Sequence, residues 1–332
     1  VISYIGFEND TIHVDSENVK LEIVLREGLS LGEVNVVRRR FGTTKLRSSA
    51  MNVDIISSAE LSRAACCNLG ESFVTNPSVD VSYSDAATGA KQIKLLGLSG
   101  TYVQMMTENI PNYRGAAAPY GLGYVPGPWM QSIQVSKGSS SVKNGYESIT
   151  GQINVEFKKP QLPEADWVSA NLFASSTGRY EANADATLKL SKRWSTSLLA
   201  HYENETMAHD ANHDGFADIP RVEQYNLWNR WAYMGDHYVF QAGIKALSEW
   251  RNSGQVNHGG NPGQEFYKIG IDTRRYEAFT KNAYIFNKEK NTNLALILQG
   301  TFHNQDAVYG HKLYDVDQTN VYASLLFETE FS

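Results

Sequence analysis

The stretch Ile133-Gln134-Val135-Ser136-Lys137-Gly138-Ser139-Ser140-Ser141-Val142-Lys143-Asn144-Gly145-Tyr146-Glu147-Ser148-Ile149-Thr150-Gly151-Gln152-Ile153-Asn154-Val155 decides how this chain is read. Its two ends, Ile133-Gln134-Val135 and Ile153-Asn154-Val155-Glu156-Phe157, alternate apolar and polar residues with the period of a half-buried strand. Gly138, Gly145 and Gly151 fall at the ends of these strands. Tight turns and close backbone approach belong at such places, and glycine alone adopts them freely.

Working outward, residues 50–160 read as one compact mixed α/β unit. Val53-Asp54-Ile55-Ile56 is a short strand, and Ser57 or Ser58 caps a helix starting near Ala59-Glu60-Leu61. Leu69 to Val74 is a second short helix, stopped at Asn76-Pro77. Strands follow at Val79 to Tyr83, Ile93 to Leu96 and Tyr102 to Met106, with Gly97 to Gly100 joining the last two. The loop from Asn112 to Trp129 is rich in Gly, Pro and Tyr, and unstructured loops of that length are usually functional. Ahead of this unit, residues 1–30 form a small β remnant in which Val19, Leu21, Ile23 and Leu25 share one face. Residues 31–49 form a linker containing Arg38-Arg39-Arg40.

From Trp167 the pattern changes to long alternating strands, near 167–175, 180–190, 194–202, 222–234, 238–250, 274–287, 293–306 and 319–331. Ser191-Lys192-Arg193, Gly235-Asp236-His237 and Lys288 to Asn291 are short connections, whereas Glu203 to Arg221, Arg251 to Asp272 and Ala307 to Val316 are long. Tight turns at one end and long loops at the other are the signature of a barrel in an outer membrane. Such strands alternate apolar and polar residues, so the absence of any run of about 18 apolar residues excludes only a membrane helix. The 18 Tyr, 13 Phe and 6 Trp would supply aromatic girdles. A net charge of -6 argues against a nucleic-acid surface. The only cysteines, Cys66 and Cys67, are adjacent and read as two buried thiols on a helix. The chain starts at Val1 and both ends read as strands, the expectation for a fragment.

The central stretch resembles the plug signature of TonB-dependent outer-membrane receptors, through Lys137-Gly138, the step from Ser141 to Gly145, and Gly151-Gln152-Ile153-Asn154-Val155. The family usually has Pro where Ser139 stands. Ile93 to Gly97, Tyr102 to Pro111 and Asn68-Leu69-Gly70-Glu71 with Asn76-Pro77 match further plug segments, with Leu96 in place of the usual Arg and Glu108-Asn109 in place of Asp-Gly. The resemblance implies a mixed α/β plug inside an antiparallel transmembrane β-barrel of twenty-two strands, of which this chain supplies about eight, in the outer membrane of a Gram-negative bacterium. It divides the chain into the tail of a carboxypeptidase-regulatory-like β domain (1–30, common in Bacteroidota receptors), a TonB-box region (31–49), the plug (50–160) and barrel strands (161–332). Glu33, Val34, Asn35, Val36 and Val37 are the TonB-box candidate, which pairs as an added strand with TonB and its ExbB/ExbD energising complex. Membrane lipids and a small ligand (ferric siderophore, haem, cobalamin or another metal chelate) are the other implied partners.

Two groups of residues are candidate sites. Tyr113, Arg114, Tyr120, Tyr124 and Trp129 offer stacking surface and a cation at the plug apex, where Arg114 suits an anionic chelate. Asp210, Asn212, Asp214, Phe216 and Asp218 fit the opening of a calcium loop, with Gly215 at the sharp turn and Arg221 where a bidentate Glu is expected. Met105, Met106 and Met130 read as core packing. No nucleotide loop, catalytic His-Glu motif or nucleophile elbow occurs, so an enzyme and a covalent cofactor are not expected. A receptor for peptides or glycans working with a surface lipoprotein, and a non-transporting β-barrel binding module, are the competing readings.

Overall fold

A computed structural model describes residues 44–45, 52–63, 67–74, 76, 79–98, 100–139, 145–160, 168–256, 265–288 and 290–330. The chain divides into two compact units, Val1–Arg40 and Phe41–Ser332, and every described residue lies in the second. The β remnant, the candidate box Glu33 to Val37, Ser141 and Cys66 lie outside the described residues.

The α/β body comprises β1 (Thr44–Lys45), β2 (Asn52–Ser57), α1 (Ser58–Arg63), β3 (Val79–Asp85), β4 (Ala90–Leu95), β5 (Val103–Thr107), β6 (Ile110–Pro111), β7 (Met130–Lys137) and β8 (Gly151–Phe157). One sheet has the order β1-β2-β7-β8-β5-β6, with β5 and β8 parallel and its other pairs antiparallel; β3 and β4 form a separate hairpin. Ile56, Val103, Ile133, Val135, Ile153 and Val155 from its strands are fully buried against Leu69, Phe73 and Leu95. Each such aliphatic side chain contributes about 1.5–3 kcal/mol of transfer free energy. Met106 and Met130 are buried in the same body, as packing residues. The second expected helix is a single 3-10 turn, Glu71–Phe73. Cys67 is a buried thiol on the bend after α1, not on a helix.

The strand wall is one antiparallel sheet in sequence order: β9 (Val168–Ala174), β10 (Arg179–Lys189), β11 (Trp194–Glu205), β12 (Arg221–Met234), β13 (Tyr238–Gly254), β14 (Lys268–Asn287), β15 (Thr292–Tyr309) and β16 (Lys312–Glu328). One expected connection is corrected. Ala307 to Val316 is not a long loop, because β15 continues to Tyr309 and β16 resumes at Lys312 after a two-residue hairpin. Gly310, at φ 61, takes the position in that turn which disfavours a side chain. Gly310-His311 at its centre is the turn signal that makes the segment read as loop, although the strands on either side pair without a break.

Cross-strand register gives each face of the wall its chemistry. On one face Leu227 pairs with Ala246, Ala246 with Tyr276, Tyr276 with Phe302, and Leu296 with Leu325. These residues point away from the α/β body. Trp194, Tyr233 and Tyr238 cluster at the short-turn end, with ring centroids 5.1 and 6.1 Å apart. Leu294 to Phe302 on β15 span about 26 Å at ~3.3 Å per residue, enough for a tilted crossing of the apolar layer. Above them Asp272 pairs with Asp306, and Asp306 with Asp315, a row of like charges that belongs in water beyond that layer. On the opposite face the same strands present Gln224, Arg230, Lys245, Glu249, Arg251, Arg275, Glu277 and Lys281, most of them buried.

Candidate functional site

The buried polar face of the wall meets the α/β body along a seam, and most of the singular chemistry of the chain lies there. It begins with the Gly-x-Ile-Asn-Val strand. β8 lies between β7 and β5, with Lys137 opposite Gly151. A Cβ at Gly151 would stand 2.1 Å from the Ser136 carbonyl oxygen, so this approach requires glycine. Asn154 then accepts a hydrogen bond from the Asn109 backbone N–H at 2.7 Å and donates to Glu156 at 2.8 Å. That holds the β5–β6 turn, in which Glu108 and Asn109 both have positive φ (51 and 64). The turn drives the Glu108 carboxylate into the wall, 2.6 Å from Arg230 and 3.4 Å from Lys281, at 4% exposure. Lys281 also donates to the Glu108 carbonyl at 2.8 Å.

Further along the seam Asn112 donates to Glu277 at 2.8 Å and accepts from Arg275 at 2.6 Å. Lys245 donates to the Tyr113 hydroxyl and to the Tyr124 carbonyl, and Asn226 donates to that same carbonyl. Arg251 forms a two-point pair with Glu249 and donates to the Thr88 carbonyl. On the β10 side Arg179 reaches Glu71 of the body at 2.7 Å and also meets Glu181 and Glu203 of the wall.

Four of the five expected apex residues belong to this packing. Tyr113, Tyr120, Tyr124 and Trp129 are at most 6% exposed. Lys245 sits over the rings of Tyr113 and Trp129, Arg251 over Tyr120, and Arg275 over Tyr113. In this arrangement they anchor the loop to the wall, and Tyr113 and Tyr120 also border cavities. Arg114 differs: its side chain is 32% exposed, pairs with Glu147 at 2.8 Å, and lines a cavity of about 400 Å³ with Lys91, Met105 and Leu122. Lys137, the motif lysine, pairs with Asp54 at 2.8 Å inside the sheet. Gly138 (φ 89) and Gly145 (φ 119) are at positive φ on either side of the loop they bound.

The Asp210 to Asp218 loop is built by its own backbone. Asp210 accepts from the N–H groups of Asp214 and Gly215, Asp214 from Phe216, and Asp218 from Ala211. Gly215 makes the turn at φ 86, and the Ala217 N–H donates to the Gly254 carbonyl, tying the loop to the end of β13. Among the described residues, no group of three or more His, Cys, Asp or Glu side chains is arranged to hold a metal ion.

The sequence reading missed Glu108, Arg230, Lys245, Arg275, Glu277 and Lys281. For the five wall residues the signal was present: charged residues standing at alternate positions in strands whose other face is apolar.

Glu108 gives the seam a pH dependence. Burial alone would raise its carboxyl, but Arg230 and Lys281 outweigh burial and hold it below the usual carboxylate range. A depressed folded-state pKa stabilises fully above the unfolded value, about 4.3, and that contribution fades as pH falls through the folded value. The advantage of the wild type over Glu108→Gln in thermal melting is therefore expected to be constant above about pH 5 and to shrink in acid. An advantage that grows in acid would contradict this assignment.

The fold is an α/β body docked on the polar face of an eight-stranded antiparallel sheet whose other face is apolar. Residues 45–152 match the family model described as TonB-dependent Receptor Plug Domain. The chain has the fold of solved receptors of that class. The siderophore receptor PiuA from Acinetobacter baumannii aligns over 85% of this chain and 43% of its own, at 13% identity and TM-score 0.64. For the ferric-catecholate import receptor Fiu of E. coli K12 the values are 83%, 44%, 16% and 0.60. For the ferripyoverdine receptor of Pseudomonas aeruginosa they are 84%, 40%, 14% and 0.62. The chain thus spans less than half the length of these receptors. No curated protein sequence matches it. Residues 45–152 thus match the plug-domain family, and the chain as a whole shares the fold of these receptors.

Proposed function

We propose that the protein imports a scarce nutrient across the outer membrane, with the α/β body as a removable plug and TonB, energised by ExbB/ExbD, as the source of pull. The observation that carries this reading is the seam. The plug is held by separate ion pairs and hydrogen bonds from Glu71, Glu108, Asn112 and Tyr113 to the wall, and no covalent link joins the two across it among the described residues. Such contacts hold against thermal motion yet yield one after another to a directed force. The ligand class we favour is an anionic metal chelate, foremost a ferric siderophore. Arg114 and Lys91 are cations at the larger cavity, and the structurally similar PiuA, Fiu and ferripyoverdine receptors are described by siderophore or ferric-chelate ligands.

The intact protein, purified in detergent, should bind one member of a panel of ferric siderophores, haem and cobalamin, and Arg114→Ala should weaken that binding about tenfold or more, the scale of a lost charge-assisted hydrogen bond. Failure across the panel would favour the peptide or glycan class and its surface lipoprotein.

We also propose that the Asp210 to Asp218 loop takes calcium, through the side chains of Asp210, Asn212, Asp214 and Asp218 and the Phe216 carbonyl. The oxygen spacing and the Gly215 turn support it; the carboxylates would have to turn inward from the amides they now accept. Calcium should raise the melting temperature of the wild type and leave Asp214→Ala unmoved. A shift of equal size in both proteins would remove the site.

A further inference from the structure

A second cavity, of about 270 Å³, lies within the seam, between the β3–β4 hairpin of the plug and strands β9 to β13, beside Ile219 and Pro220 of the β11–β12 loop. Its volume equals about nine waters at roughly 30 Å³ each, room for a molecule the size of a dipeptide. Six charged residues line it: Glu71, Glu203, Glu205, Lys91, Arg179 and Arg251.

Four of these charges are engaged in ion pairs, with three carboxylates sharing Arg179. Arg179 lies between Glu71, Glu181 and Glu203, at 2.7, 2.7 and 3.1 Å. Arg251 is paired with Glu249 and donates to the Thr88 carbonyl. Two charges remain. Lys91 stands over the Tyr83 ring at 5.5 Å and has no carboxylate within ion-pair distance among the described residues. Glu205, at the end of β11, likewise has no cation within that distance. Burial draws the Lys91 pKa down, against the opposing pull of Glu71 and Glu203. A simple anion attracted by Lys91 would meet Glu205, and a simple cation would meet Lys91. A molecule carrying both signs offers each of them a partner within the one cavity.

We infer that this seam cavity is a binding site for a small zwitterion of the amino-acid or short-peptide class, its carboxylate received by Lys91 and its ammonium by Glu205. The exposed Tyr83 ring supplies an apolar wall for the side chain between them. The site is separate from the Arg114 cavity, although Lys91 borders both. Its occupancy does not depend on which nutrient crosses the membrane, so its test is an equilibrium binding measurement and not an uptake assay.

Three probes decide it in calorimetric titration of the intact protein in detergent. They are L-alanyl-L-alanine, its N-acetyl form, which lacks the cation, and its C-terminal amide, which lacks the anion. The wild type is expected to bind the zwitterion at least about tenfold more tightly than either singly charged form, the scale of one charge-assisted hydrogen bond. Glu205→Gln should abolish the preference over the N-acetyl form and Lys91→Met the preference over the amide, each leaving the other preference in place. Equal binding of the three probes by the wild type, or no binding of the zwitterion, would overturn the inference without any variant having to fold.

Discussion

Glu108→Gln is expected to cost about 3–5 kcal/mol in the docking of the plug, the usual consequence of removing one partner from a buried ion pair. The carboxylate at 4% exposure is the counter-charge of Arg230, itself buried, and of Lys281. Without it two cations face each other inside the seam. The turn that presents it would also lose its reason for holding Glu108 at φ 51. The guanidinium midpoint, followed by the fluorescence of the buried Trp129, reads the effect. Glu108→Leu combined with Arg230→Leu and Lys281→Met should recover at least half the loss, since replacing a buried charge cluster by apolar groups is often close to neutral. A single variant as stable as the wild type would show that the pair anchors nothing.

Gly151→Ala is expected to be the most damaging change of one methyl group. Its Cβ would stand 2.1 Å from a backbone oxygen of β7 and 2.5 Å from Leu95 Cδ2, and a backbone oxygen in a paired strand cannot step aside. The cost lies at or above the upper end of the about 1–3 kcal/mol usual for overpacking. The change also disturbs the strand that carries Asn154, and with it the Glu108 turn. Gly300→Ala is the control: nothing lies within 4 Å of its Cβ, so the midpoint should move by no more than about 0.5 kcal/mol. Equal midpoints for the two variants would disprove the close approach.

The glycines of the central motif and the eight wall strands were legible because both obey local rules. Steric exclusion needs only the residue itself, and a period of two needs only its neighbours. The seam was not legible in the same way. Glu108 reads as a turn residue until Arg230 and Lys281, more than a hundred positions later, are brought to it by the docking of plug on wall. For the same reason Tyr113, Tyr120 and Trp129 read as stacking surface at an apex, whereas Lys245, Arg251 and Arg275 stand over their rings. Ala307 to Val316 looked like loop because Gly310-His311 at its centre is a turn signal, although the strands on either side pair without a break.

Uptake of the best-binding iron chelate by living cells tests the central claim most directly, compared in wild-type cells, cells treated with a proton uncoupler and cells lacking TonB. A plug held by Glu108, Asn112 and Glu71 and drawn out by force predicts uptake in the first and none in the other two, with surface binding unchanged in all three. Uptake that persists without TonB or the proton gradient would mean that the seam opens unaided and that the protein is a passive pore.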